Sequence, residues 1–237
     1  MRFPVPLVPA RLRRRYKRFL SDAMLADGTE IVAHCANPGS MLGLATPGAR
    51  IWLSANRNPK AKLSWRWELV ECAGSPVGVN TGHANTLVAE ALAADAIPEL
   101  AGYATRRREV RCGASRIDFL LEDVGRPPCF VEVKSVTLRR DLSGRAGAAE
   151  FPDAVTARGT RHFAELSAMA ESGHRAAMFY LVQRSDCDHF RLAEDIDPGY
   201  AAGLRSAMAA GVEILCYSCR VTPQAIEVDR PVPVMLQ

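Results

Sequence analysis

Two stretches of this chain set ionisable residues inside otherwise apolar segments. Residues 115–122 read S-R-I-D-F-L-L-E, and residues 129–135, after a short turn, read C-F-V-E-V-K-S. A charged group in a buried strand costs free energy unless it is paired or binds metal. Side chains alternate across a strand, so Glu132 and Lys134 share a face. If the two strands pair as a hairpin, Asp118 joins them. An Asp, a Glu and a Lys converging in this way can hold a hard divalent cation, Mg²⁺ or Mn²⁺, and activate a water. Lys134 can orient that water or neutralise charge developing on a phosphate. An E-x-K pair on an exposed strand face has the same spelling. The neighbouring Asp118 strand and the α/β pattern downstream are what favour the catalytic reading.

Other residues could extend such a site. Glu90 lies in a helix whose apolar face carries Leu87, Val88, Ala91 and Leu92; it sits off the centre of that face and could be a further metal ligand. In F-P-D-A-V-T-A-R-G-T-R-H, Arg158 and His162 are four apart on a helix, with Arg161 close by, and could bind a phosphate. Thr156 could add a hydroxyl. Gly159 within that helix disfavours it by about 1 kcal/mol relative to Ala, which calls for a close approach of some other group. Gln183 and Arg184 end an apolar strand, where open α/β sheets often border a cleft. Asn37-Pro38-Gly39-Ser40 reads as a turn. Cys216-x-x-Cys219 falls within a strand and lacks a second ligand pair, which argues against zinc and against redox use. P-loop, Rossmann and nucleophile-elbow motifs are missing.

These residues need elements to position them. Up to about residue 80 the chain reads as all-β, with strands near 11–25, 29–35, 49–54, 64–72 and 77–80, punctuated by Asp27-Gly28, Pro47-Gly48, Asn58-Pro59 and Gly74-Ser75-Pro76. Five short strands in that length fit a small OB-like barrel, and a small sandwich gives the same pattern. The pattern then changes. Asn85-Thr86 can cap a helix that Pro98 ends. Strands follow near 108–112, 115–122 and 129–136, and a Gly/Ala-rich stretch over 141–150 reads as a mobile loop. A helix over 151–172, a strand over 176–183, a helix over 199–210 and a strand over 212–219 complete an α/β pattern with a parallel crossover. The expected division is 1–80, an OB-like nucleic-acid-binding barrel, and 81–237, a mixed sheet flanked by helices.

Charge supports this division. Residues 1–80 carry twelve Lys/Arg against five Asp/Glu, while the remainder is slightly acidic. Residues 1–20 hold seven basic side chains and no acidic one. Arg13, Arg14, Arg15 and Lys17 are the candidate phosphate contacts, and a basic front beside metal-type carboxylates suits a polyanionic substrate such as DNA. The apolar runs are too short to span a bilayer, and the Pro-rich start does not read as an export signal. Seven scattered cysteines suggest reduced thiols and a cytoplasmic protein.

The stretches V-N-T-x-x-x-N-T-L-V-x-E-A-L, S-R-I-D-F-L-L, F-V-E-V-K-S-V-T-L, F-P-D-A-V-T-A-R-G-x-R-H and G-V-E-I, together with N-P-G-S-M, resemble the sugar fermentation stimulation protein A family of prokaryotes. The resemblance implies an N-terminal OB-like domain and a C-terminal domain of the PD-(D/E)xK restriction-nuclease type. It implies DNA binding with little sequence preference and a regulatory link to sugar (maltose) metabolism. Its nuclease-like signature falls on Glu90, Asp118, Glu132 and Lys134. The proline of the motif is replaced by Ile117, which removes no ligand. Two functions follow as expectations: a Mg²⁺-dependent phosphodiesterase acting on DNA, or a non-enzymatic DNA-binding regulator using the same cleft. A small-molecule binding module fits the basic front less well.

Overall fold

The computed structural model describes residues 1–56, 58, 60–112, 115–141 and 147–236; for Ser115, Ala157, Arg158 and Thr160 it describes the backbone alone. The first half folds as strands β1 (Val8–Tyr16), β2 (Leu20–Leu25), β3 (Glu30–Cys35), β4 (Arg50–Ala55), β5 (Trp65–Cys72) and β6 (Ser75–Gly78). The sheet runs β3-β2-β1-β4-β5-β6, and a parallel β3–β5 pairing closes its first five strands into an OB barrel. Alternation builds the barrel core. Leu12, Ala23, Ala33, Ile51, Leu53, Trp67 and Val70 point inward, while the arginines of β1 point out. The single strand expected over 11–25 is a hairpin, because residues 17–19 turn the chain between Tyr16 and Leu20.

The second half carries helix α1 (Ala84–Ala93), strands β7 (Thr105–Cys112), β8 (Ser115–Asp123), β9 (Arg126–Val136) and β10 (Gly147–Phe151), helix α2 (Ala157–Glu171), strands β11 (Arg175–Val182) and β12 (Cys187–Leu192), helix α3 (Pro198–Ala209), and strands β13 (Glu213–Val221) and β14 (Ile226–Pro231). The main sheet has the order β14-β13-β11-β9-β8-β7, parallel across β9, β11 and β13 and antiparallel at both ends. Strand β11 reads A-A-M-F-Y-L-V because both of its faces are covered. Ala177, Phe179 and Leu181 pack with Leu87, Val88 and Leu92 of α1. Met178, Tyr180 and Val182 pack with Phe163 and Leu166 of α2 and Tyr200 and Leu204 of α3.

Several expectations shift. Of the stretch expected as a loop over 141–150, residues 142–146 lie outside the described residues, and 147–151 form β10, paired with the unanticipated β12. Helix α2 begins at Ala157, with the Thr156 hydroxyl accepting from the Gly159 N–H at its start. Asn85 does not cap α1. Asn80 caps the short turn before it by accepting from the Gly82 N–H. Residues 1–3, counted with the barrel in a division at residue 80, pair with 224–226 at the far end of the chain. Leu7, Trp52 and Leu69 share a core with α1, so the barrel and the mixed sheet pack against each other. All seven cysteines are buried and free, and Cys216 and Cys219 fall into cores on opposite sides of the sheet. Among the described residues no helix is long and apolar enough to cross a membrane.

Candidate functional site

The ladder between β8 and β9 ends at Phe119↔Val131; one step further would set Asp118 opposite Glu132. Asp118 instead uses its carboxylate to take over there. Its Oδ2 accepts the Val133 N–H at 2.7 Å, and its Oδ1 accepts from Asn85 Nδ2 at 2.6 Å. The side chain is thereby held by β9 and by the first turn of α1 together. Burial, then the charge of Glu132, push its pKa up against the Val133 and Asn85 hydrogen bonds and the charge of Lys134.

Glu132 is buried beneath α2. Its Oε1 accepts from Lys134 Nζ at 2.6 Å and from His162 Nδ1. Its Oε2 is buried with no hydrogen-bond partner among the described residues. Burial would raise this carboxyl, but the hydrogen bond from His162 and the charge and hydrogen bond of Lys134 bring it below the ordinary glutamate value. Two cations or donors therefore share one oxygen while the other is left bare. Buried carboxylate oxygens are rarely left so, and when they are, a missing ion or water is one of the usual reasons.

These groups line a cleft of about 690 Å³ between the two halves of the molecule. One wall carries Asp118, Glu132, Lys134, Ser135, Thr137, Thr156 and His162 from the mixed sheet and α2. The other carries Arg18, Asn37, Pro38 and Gly39 from the barrel. The Asn37–Ser40 turn is part of this wall. Asn37 Nδ2 donates to Val79 O, the Gly39 N–H donates back to Asn37 Oδ1, and Arg15 donates to the carbonyls of Asn37, Gly39 and Ser40. Gly39 has no room for a Cβ, because the Asp153 carboxylate occupies that space and also accepts the Met41 N–H at 3.1 Å. One side chain thus ties the barrel loop to the segment leading into α2.

Other candidate residues sit elsewhere. Glu90 does not reach the cleft. It lies five residues beyond Asn85, about 140° round the helix, and pairs at 2.5 Å with the N-terminal amine. Asn85 is the side chain α1 contributes. The expected cluster of three carboxylates is therefore one of two; among the described residues no group of three or more His, Cys, Asp or Glu converges as for a metal. His162 is not a solvent-facing phosphate contact but lies under Glu132, 4% exposed. Arg161 points to solvent away from the cleft, and the side chain of Arg158 lies outside those described. Arg14 is taken by Asp22 and lies over the Tyr16 ring, Arg15 is spent on the Asn37–Ser40 turn, and Arg13 reaches Met24 Sδ. The Lys17 side chain has no ion-pair or hydrogen-bond partner among the described residues; its carbonyl accepts the Phe19 N–H. Gln183 and Arg184 are fully buried struts: Gln183 donates to Ser135 Oγ, and Arg184 forms a two-point pair with Asp186 and donates to Thr137 O. Gly159 packs against α3, where a Cβ would lie 2.7 Å from Tyr200 Cε2. Sequence reasoning missed Asn85 and Arg18; a short polar residue on the first turn of the helix facing β8 was the available signal for the former.

Comparison with known proteins agrees with this architecture. Residues 14–79 match the model of an N-terminal OB domain, and residues 82–225 match that of the sugar fermentation stimulation protein RE domain. The sugar fermentation stimulation protein homolog of Rhodospirillum centenum is 60% identical over 97% of each chain. That of Azorhizobium caulinodans is 58% identical over 99% of this chain and 100% of its own. The structure of SfsA from Pyrococcus furiosus, solved in complex with Ca²⁺, superposes with a TM-score of 0.89 at 27% identity, covering 99% of this chain and 98% of that one. With an OB barrel joined to a restriction-endonuclease-like mixed sheet, and relatives matching over nearly their whole length, this chain belongs to the sugar fermentation stimulation protein family.

Proposed function

We propose that the cleft is a divalent-metal-dependent phosphodiesterase site acting on DNA with little sequence preference. The observation that carries this reading is the bare, buried Oε2 of Glu132 beside the Asp118 carboxylate. Two carboxylates completed by waters fit the needs of Mg²⁺ or Mn²⁺, and the P. furiosus relative was solved with the hard cation Ca²⁺. Asp118 and Glu132 would hold the ion; when bound, it would polarise a phosphate oxygen and lower the pKa of a water.

The chain's own residues have separate tasks. Asn85 and the Val133 N–H fix the Asp118 carboxylate before any ligand arrives. His162 and Lys134 turn Glu132 so that its second oxygen is free. Lys134, half-buried on the same face as Glu132 and paired with it, can neutralise charge developing on the phosphate or orient the attacking water. Ser135, Thr137 and Thr156 line the same cleft, where their hydroxyls would be within reach of the strand's phosphates.

The test is an assay of purified protein on linear, circular and single-stranded DNA with Mg²⁺ or Mn²⁺, against Asp118→Asn and Glu132→Ala made in parallel. Cleavage that needs metal and both carboxylates is the expected result. Metal-dependent stabilisation and DNA binding without any cut would instead make the protein a DNA-binding regulator using the same cleft.

A further inference from the structure

The turn over residues 17–19, at the barrel side of the cleft, is filled by residues that its role as a hairpin turn does not call for. Lys17 and Arg18 both adopt left-handed backbone, with φ of 47° and 65°, where glycine or asparagine is favoured. Neither side chain has an ion-pair or hydrogen-bond partner among the described residues, in contrast to Arg14 and Arg15 one strand earlier. The third member, Phe19, is 42% exposed, one of few large apolar side chains left so open. Two strained cations and an uncovered aromatic ring in one three-residue turn read as function held against stability.

Position supplies the ligand. Arg18 lines the same cleft as Asp118, Glu132 and Lys134. The Phe19 ring lies 6.3 Å from that of His34 at an angle of 31°, and the Phe19 carbonyl accepts from the Cys35 N–H, two residues before Asn37 of the cleft wall. An exposed aromatic ring, backed by a half-buried imidazole and flanked by unpaired cations, is the pattern that takes an unstacked base and its phosphates. The first hairpin loop and the second and third strands of OB barrels are their usual oligonucleotide face. Inside a duplex, base faces are covered by their neighbours, so such a platform gains nothing from intact double helix.

We propose that Phe19, with His34 behind it and Lys17 and Arg18 beside it, stacks an unpaired nucleobase and hands the adjoining phosphates to the cleft. The preferred substrate is then single-stranded or flapped nucleic acid rather than blunt duplex. This inference rests on the nucleic-acid reading of the cleft.

The experiment measures binding by fluorescence anisotropy in metal-free buffer, so that no strand is consumed. The probes are a labelled single strand, a blunt duplex of the same sequence and a duplex with a single-stranded flap. Wild type is expected to hold the single strand and the flap more tightly than the blunt duplex. Phe19→Ala and Phe19→Leu should each weaken single-strand and flap binding about tenfold and leave blunt duplex within about twofold, whereas Phe19→Trp restores affinity. Arg18→Gly should keep or raise the melting temperature by relieving the left-handed residue, yet weaken every probe. Equal loss on all three probes, no loss on any, or a Phe19→Leu variant that binds like wild type overturns the stacking platform while leaving nucleic-acid binding in place. A wild-type protein that binds none of the probes overturns both readings, and the melting curves of the variants show whether any loss is merely misfolding.

Discussion

Two buried glutamates of this protein, Glu68 and Glu132, have the same exposure and opposite accounts. Both side chains are 4% exposed and both touch a histidine. Glu68, on β5, is saturated. Its Oε1 accepts the Ser54 hydroxyl at 2.6 Å, and its Oε2 accepts Asn80 Nδ2 at 2.8 Å and His83 Nε2 at 2.7 Å. Ser54 belongs to the barrel and His83 to the start of the second half, so this carboxylate is a strut across the join. Glu132 directs all its donors to one oxygen and leaves the other empty. Burial and a histidine partner alone therefore do not mark a reactive carboxylate. What sets Glu132 apart from the strut is a buried oxygen without a hydrogen-bond partner, on a residue that lines the cleft together with Asp118.

The largest effect that could break this comparison is on stability. Glu68→Ala leaves three donors without their acceptor, and the fold should lose about 3 kcal/mol, measured by urea unfolding. The loss should be the same with and without Mn²⁺. A metal-dependent loss would make Glu68 part of the site after all. Next in size is the response to metal. With free Mn²⁺ at about a hundred times its dissociation constant, wild type should gain about 2.7 kcal/mol, read as a rise in melting temperature. Asp118→Asn and Glu132→Gln should abolish the gain, whereas Glu68→Gln should keep it.

A smaller difference is expected in acid. Burial raises the Glu68 carboxyl, but the hydrogen bond and charge of His83 and the hydrogen bonds of Ser54 and Asn80 more than reverse this, so it lies below its ordinary value of 4.5. The folded state then binds fewer protons than the unfolded chain at and just below that value. The Glu68 contribution is fully present above it and is lost as pH falls through the lowered folded pKa. The stability gap between wild type and Glu68→Gln should thus be widest near neutrality and shrink below pH 4.5. A gap that widens in acid would contradict the sign. The smallest effect belongs to Glu90, half-exposed and paired with the N-terminal amine. Glu90→Ala should shift stability by less than about 0.5 kcal/mol and leave Mn²⁺ affinity, measured by calorimetry, unchanged.

Most of the elements and the charged core of the site were legible along the chain, although β10, β12 and β14 were not and β1 and β2 read as one strand. Alternation with Gly and Pro punctuation made the barrel strands legible. The apolar run over 176–183 was legible as a strand, and strand period two put Glu132 and Lys134 on one face. These are local consequences of backbone geometry, which a linear reading can follow. It could not see where the β8–β9 ladder stops, and so could not see that Asp118 bonds the Val133 N–H and Asn85. Nor could it see that α1 turns Glu90 toward Met1, that α2 lays His162 on Glu132 instead of on a phosphate, or that Arg14 and Arg15 are occupied while Lys17 and Arg18 are not. Each of these depends on which side chain from a distant segment arrives first at a donor or acceptor. Only the packing of the barrel and helices against the mixed sheet decides that, leaving one oxygen of Glu132 bare and filling both of Glu68.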